Sequence, residues 1–227
     1  MKHSKILLYA AVSVVMAACD LIDKNNYQTE IIDPVINDIP FAKGADISWV
    51  TEMEKDGIRF YNAEGKETEC TALMKEIGFD AIRLRVWVNP EGGWCAKDDV
   101  LVKAKRAQEL GMRIMIDFHY SDTWADPSNQ KTPAAWADLP VYELAAALEA
   151  HTKETLQLLK DNGVDVEWVQ VGNETNSGML HPIGKIGSDA TNFAILANKG
   201  YDAIKSIYPE AKVIIHRSEG HKANECK

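Results

Sequence analysis

The feature that most constrains this chain is a rhythm. Four times a helical pattern stops at Gly or Pro and a β-rich run follows at once. Residues 68–77 stop at Gly78 before a run from Ala81 to Val88. Residues 98–110 stop at Gly111 before Arg113 to Tyr120, and residues 141–162 stop at Gly163 before Val166 to Gly172. Residues 189–208, with Phe193, Leu196, Ala197, Ile204 and Ile207 along one side, stop at Pro209 before Lys212 to His216. Gly just past a helix and Pro beyond it are the expected terminators. An opening strand near Ala42 to Trp49 completes the pattern, which predicts five strands separated by four helices.

Helix-linked strands imply an α/β fold with a parallel sheet and right-handed crossovers. A doubly wound sheet and a (β/α)8 TIM barrel both fit that rhythm. No Gly-rich phosphate loop follows the first strand, and Ile82-Arg83-Leu84-Arg85-Val86-Trp87-Val88 puts aliphatic residues on one face and Arg, Arg and Trp on the other. A strand with helices outside and a polar interior gives that alternation. The expected fold is therefore the barrel, of which this chain supplies about the first five strands.

The first residues read as a processing signal. Lys2 and Lys5 precede an apolar run from Ile6 to Met16 that is too short to span a bilayer. The run ends in Met16-Ala17-Ala18-Cys19, small residues before a Cys, which resembles a bacterial lipobox with Cys19 as the lipidation site. Residues 1–18 are expected to be a lipoprotein signal peptide and residues 19–40, with Pro34 and Pro40, a polar tether after the lipidated Cys. The chain is expected to be an exported bacterial lipoprotein, periplasmic or on the cell surface, that meets the membrane only through this anchor. Removing residues 1–18 takes away two Lys and no acid, so the formal charge moves from −9 to −11. An acidic surface argues against a nucleic-acid partner. Cys70 and Cys95 could pair in an oxidising compartment, and the cysteine spacings do not match a zinc site.

In a barrel, polar residues at the C-terminal ends of the strands converge on one mouth. The first strand offers Asp46 and Trp49, and the second Arg83, Arg85, Trp87 and Asn89. The third offers Asp117 and His119, then Tyr120-Ser121-Asp122-Thr123-Trp124-Ala125-Asp126-Pro127; the fourth ends in Asn173-Glu174, and the fifth in His216. Each has a bland alternative. His119 could be a satisfied core imidazole, Arg83 a structural partner of Asp117, and Trp49, Trp87, Trp124 and Trp136 simply core. Their convergence is what those alternatives leave unexplained. Indoles for sugar rings, polar groups for hydroxyls and a carboxylate for a glycosidic oxygen make a carbohydrate site. No Gly-x-Ser-x-Gly elbow or His/Cys metal cluster competes with that reading.

These segments resemble clan A of the glycoside hydrolases and, within it, family 53, the endo-β-1,4-galactanases. Asn-Glu at the end of the fourth strand is shared across the clan, whereas Asp117-Phe118-His119-Tyr120-Ser121-Asp122-Thr123-Trp124-Ala125-Asp126-Pro127 is specific to the family. The likeness runs from Phe41 to His216, a partial glycoside hydrolase domain. It implies that Glu174 is the general acid/base of a retaining hydrolysis and that Asn173 holds the 2-hydroxyl of the sugar being cleaved. It places Arg83 on the clan's arginine, His119 and Asp122 in the same substrate-binding region, and Trp87 and Trp124 as sugar platforms. The implied substrate is type I arabinogalactan, the galactan of pectin. No cofactor is required; some relatives bind calcium in a late loop.

The family's nucleophile lies on strand seven, beyond these five strands. Residues 217–227 are polar and read as an aberrant tail, so the expectation is a truncated and inactive galactanase. Two alternatives remain at this point: another clan A β-glycanase, and a non-catalytic glycan-binding surface lipoprotein.

Overall fold

The computed structural model describes residues 41–218. The signal peptide, Cys19, the tether and the tail from residue 219 onward lie outside the described residues. The strands are β1 (Gly44–Asp46), β2 (Ala81–Val86), β3 (Arg113–Phe118), β4 (Trp168–Val171) and β5 (Lys212–Ile214). They form one parallel sheet in the order β1-β2-β3-β4-β5, each strand beside its predecessor in the chain. Between them run α1 (Val50–Lys55), α2 (Cys70–Glu76), α3 (Lys97–Glu109), α4 (Val141–Asp161) and α5 (Thr191–Ile207). This is the first part of a (β/α)8 barrel.

Alternation explains the layering. Ile82, Leu84, Val86, Ile114, Ile116, Phe118, Val169 and Val171 are all fully buried on the side that the helices cover. Leu144, Leu148, Leu156 and Leu159 of α4 and Leu196, Ala203 and Ile204 of α5 complete that core. Gly200 of α5 marks the closest approach, since a Cβ there would sit 2.8 Å from Val171 Cγ1. The residues between, Arg83, Arg85, Met115, Asp117, Trp168 and Gln170, share the opposite face by parity. Register places Arg85 beside Asp117 and Asp117 beside Gln170, so one polar row crosses three strands.

Three expectations change. The opening strand is three residues long, not eight, because the chain turns at Ser48 and enters α1. That helix has six residues and one buried position, Val50, too little to leave a periodic trace. β2 stops at Val86, because Trp87 N–H donates to the Cys95 carbonyl (2.9 Å) and Val88 N–H to that of Ser121 (2.9 Å). Cys70 and Cys95 are both free and buried. Cys95 Sγ instead sits 3.4 Å from Arg85 Nη2 and 3.4 Å from the Ser48 carbonyl.

Behind the sheet, His151 of α4 lies among Phe118, Tyr120 and Trp136, with ring centroids 5.7, 6.4 and 5.8 Å away. Its Nε2 finds no hydrogen-bond partner among the described residues. Burial pushes the imidazole from its ordinary 6.5 down to about 4; Glu154 pulls it back up, Lys97 pushes it further down, and Asp122 pulls it up. The unfolded chain therefore takes the proton first as pH falls. Stability is fully present above about pH 6.5 and is lost on acidification toward 4, on the order of 3 kcal/mol in all. Urea midpoints at pH 7 and pH 5 should fall further apart for the wild type than for His151→Phe. An equal fall in both would show that this group does not set the acid limit.

Candidate active site

The C-terminal ends of the strands bring Asp46, Arg83, Asp117, His119, Gln170, Asn173 and His216 into one hydrogen-bonded array. Arg83 is its hub. Its Nη1 pairs with Asp46 Oδ2 (2.6 Å), and its Nη2 with Asp117 Oδ2 (2.6 Å). Nη2 also donates to Asn173 Oδ1 (2.9 Å) and lies 3.3 Å from Gln170 Oε1. Burial alone would push the Asp46 carboxyl up. The Ser48 hydroxyl and amide, at 2.6 and 2.9 Å, together with Arg83 outweigh it and hold the carboxyl below its ordinary range.

Asp117 is wholly buried yet fully engaged. Gln170 Nε2 donates to its Oδ1 and His119 Nε2 sits 3.0 Å from its Oδ2. His119 Nδ1 accepts from Trp87 Nε1 (3.3 Å) and from Ala125 N–H (3.1 Å). Two donors on Nδ1 place the ring proton on Nε2, toward Asp117. His119 is 1% exposed and both nitrogens are taken, so it aligns Asp117 and Trp87 and has no nitrogen left for a ligand.

Asn173 is held through both polar atoms of its amide. Its Oδ1 receives Arg83, Gln170 (3.1 Å) and His216 Nδ1 (2.8 Å), while Nδ2 donates to the Ala125 carbonyl (2.8 Å). Desolvation, and then the nearby Arg83 charge, lower the His216 pKa. Glu174 follows in the left-handed region, φ +49°, an uncommon conformation for a residue with a side chain. The backbone around it is clamped. Gln130 Nε2 donates to the Asn173 carbonyl (2.7 Å) and approaches that of Glu174 (3.3 Å), and Thr175 N–H donates to the His216 carbonyl (2.8 Å).

Trp87 and Trp124 stand beside this array with centroids 6.2 Å apart, and Trp49 meets Trp124 edge-on at 5.8 Å. Trp124 is 40% and Trp49 43% exposed. Asp122 has a different place: its oxygens accept from Asn89 N–H (3.0 Å) and Ala134 N–H (2.9 Å) and tie two loops together. Gln170, Ser48 and Gln130 were not singled out from sequence. Gln170 was accessible by parity, as the polar residue between Val169 and Val171. Ser48 and Gln130 lie in turns, where no periodicity reports direction.

Comparison with known proteins gives a consistent picture. The description "Glycosyl hydrolase family 53" matches residues 42–227, a span that takes in the polar tail. The chain is 34% identical over 236 residues to an endo-beta-1,4-galactanase of Bacillus subtilis (strain 168), covering 94% of this chain and 53% of that protein. It is 37% identical over 180 residues to an arabinogalactan endo-beta-1,4-galactanase of Humicola insolens, covering 78% of this chain and 54% of that protein. Among solved structures, a report on two fungal beta-1,4-galactanases matches with TM-score 0.78 at 35% identity, over 82% of this chain and 56% of that one. The Ignisphaera aggregans GH53 catalytic domain matches with TM-score 0.74 at 36% identity, over 78% of this chain and 51% of that one. The chain spans about half the length of the curated relatives it matches.

Proposed function

We propose, from the premise that this chain belongs to glycosyl hydrolase family 53, that the whole protein is a retaining endo-β-1,4-galactanase acting on type I arabinogalactan. The observation that carries this reading is Glu174, clamped at the end of β4 beside Asn173 and Arg83 and near exposed indoles. Glu174 gives its proton to the glycosidic oxygen as the bond to the anomeric carbon breaks. A second carboxylate, from the part of the barrel beyond β5, attacks that carbon and forms a covalent glycosyl-enzyme. Glu174 then takes a proton from water, whose oxygen displaces the enzyme carboxylate in a second inversion, so that the product keeps the configuration of the substrate. That requires the two carboxyls to lie about 5–5.5 Å apart. Asn173 has one amide hydrogen unused among the described residues, which suits the sugar 2-hydroxyl. No cofactor enters these steps.

Among the described residues, Asp46 and Asp117 are the other carboxylates of the array, and both are paired with Arg83. Neither is free to act as the second carboxylate, which this reading assigns to the part of the barrel beyond β5. Incubation of the whole protein with β-1,4-galactan, β-glucan and β-mannan tests the proposal. Galacto-oligosaccharides released from galactan with the β-configuration support it; release from another polymer points to a different clan A activity. Binding to galactan with no product supports the lipoprotein reading.

The substrate is a polymer outside the cell, which fits export and a lipid on Cys19. Metabolic labelling with a fatty acid should mark the wild type and not Cys19→Ala. Stable attachment takes more than one acyl chain. Equal labelling of both proteins would remove the anchor from the proposal.

A further inference from the structure

Arg85 is the one described charge of the strand interior whose burial the network around Arg83 does not explain. It is 2% exposed and makes no ion pair among the described residues. Its side chain reaches one hydrogen-bonding atom, the Cys95 sulfur at 3.4 Å, and its Nε is buried without a partner. Lys103, buried nearby, shows the usual solution, with Asp99 Oδ2 at 2.5 Å and the Ser48 carbonyl at 2.7 Å. Around Arg85 there are indoles instead. Its guanidinium carbon lies 4.2 Å from the ring centroid of Trp124, 4.5 Å from Trp87 and 5.2 Å from Trp49.

A planar cation that touches several aromatic faces is attracted to each, and most strongly where water is excluded. Trp49 and Trp124 are large, partly exposed side chains at a loop-rich rim, where free rings would sample several rotamers. Contact with one buried, flat group removes that freedom before a ligand arrives. Trp49, Trp124 and Arg85 itself border a cavity of about 520 Å3, also lined by Asp46, Arg83 and Met53 and large enough for a short oligosaccharide.

We propose that Arg85 is the positioning residue of the glycan platform: its buried guanidinium locks Trp49, Trp87 and Trp124 in the arrangement that receives a β-1,4-galactan chain. The inference rests on the galactanase reading. It also carries a thermodynamic signature. A buried charge without a counter-ion opposes folding, so its replacement by an apolar side chain of similar length is neutral or stabilising. Stability and binding therefore move apart when Arg85 is changed. A residue with a merely structural role would move them together.

The test compares the intact protein with Arg85→Met and Arg85→Lys, using thermal unfolding, the tryptophan bands of the near-UV circular dichroism spectrum, and titration with β-1,4-galactotetraose. Arg85→Met should unfold at or above the wild-type temperature, lose much of its tryptophan band and bind roughly tenfold more weakly, because the freed rings must then be ordered on binding. Arg85→Lys keeps the charge but not the plane and should fall between. Wild-type affinity and an unchanged band in a folded Met variant would overturn the proposal. If the Met variant does not fold, the same result in the Lys variant overturns it. If the wild type itself does not bind galactotetraose, the galactanase reading fails. In that case the tryptophan bands alone decide whether Arg85 orders the rings.

Discussion

Glu174→Gln is expected to lower galactan hydrolysis by the whole protein by about 10⁴-fold while leaving oligosaccharide binding nearly unchanged. The amide has the shape of the acid but no proton to give, so a sugar leaving group must depart as an alkoxide. The backbone site should tolerate the change, because its left-handed conformation is held by Gln130 and His216, not by the carboxylate. The defect should also depend on the leaving group. An aryl β-galactobioside, whose phenolate departs without protonation, should still glycosylate the variant and release its phenol in a burst. Steady hydrolysis would then stall, since no base activates water. Wild-type turnover of galactan by Glu174→Gln would remove this residue from the acid/base role. Loss of the phenol burst along with galactan hydrolysis would show that the side chain orients the sugar instead.

The second large effect concerns stability. Arg83→Met is expected to destabilise the protein by about 3–5 kcal/mol, because it leaves Asp117, with no exposed side-chain surface, without its cation. Gln170 and His119 still donate to Asp117, but neither brings the charge that Arg83 supplies through a 2.6 Å contact. Adding Asp117→Asn should recover most of the loss, since an amide needs no counter-ion. A double-mutant cycle by urea unfolding measures that coupling. A cost below about 1 kcal/mol for Arg83→Met, or no recovery in the double variant, would mean that solvent reaches Asp117 in the variant.

The parts of this architecture legible in the sequence are those governed by period and punctuation. The outward residues of β2 and β3 are apolar at every second position, and Gly78, Gly111 and Gly163 stop α2, α3 and α4. Those signals place Arg83, Asp117 and Glu174 at one end of the sheet with no knowledge of their contacts. What stays hidden is direction within the polar face. Arg85 and Arg83 are two residues apart on the same strand, yet one lies beneath indoles and the other joins two carboxylates. His119 reads as a ligand-facing imidazole until Ala125 and Trp87 are seen to occupy Nδ1. Asp122 sits inside the family's most specific string and serves the loops. Such choices depend on where loops fold back, and Gln130 in its turn gives no period to read.

The order of the sheet has a consequence for assembly. Every strand pairs with the one made just before it, and paired residues such as Gly44 and Ala81, or Trp168 and Lys212, come from successive strand–helix units. Among the described strands each of β2 to β5 finds a neighbour in the unit before it, so this part of the sheet can grow in the direction of synthesis, one unit docking on the last. The ion-pair array then accumulates in sequence: Asp46 first, Arg83 onto it, Asp117 third, Asn173 fourth. Glu174 lies within the fourth unit, but the group that braces the backbone after it, the carbonyl of His216, arrives only with the fifth. The carboxylate proposed as acid/base is thus laid down one unit before His216, the last of the groups that hold its backbone, and its geometry becomes a readout of whether β5 has docked.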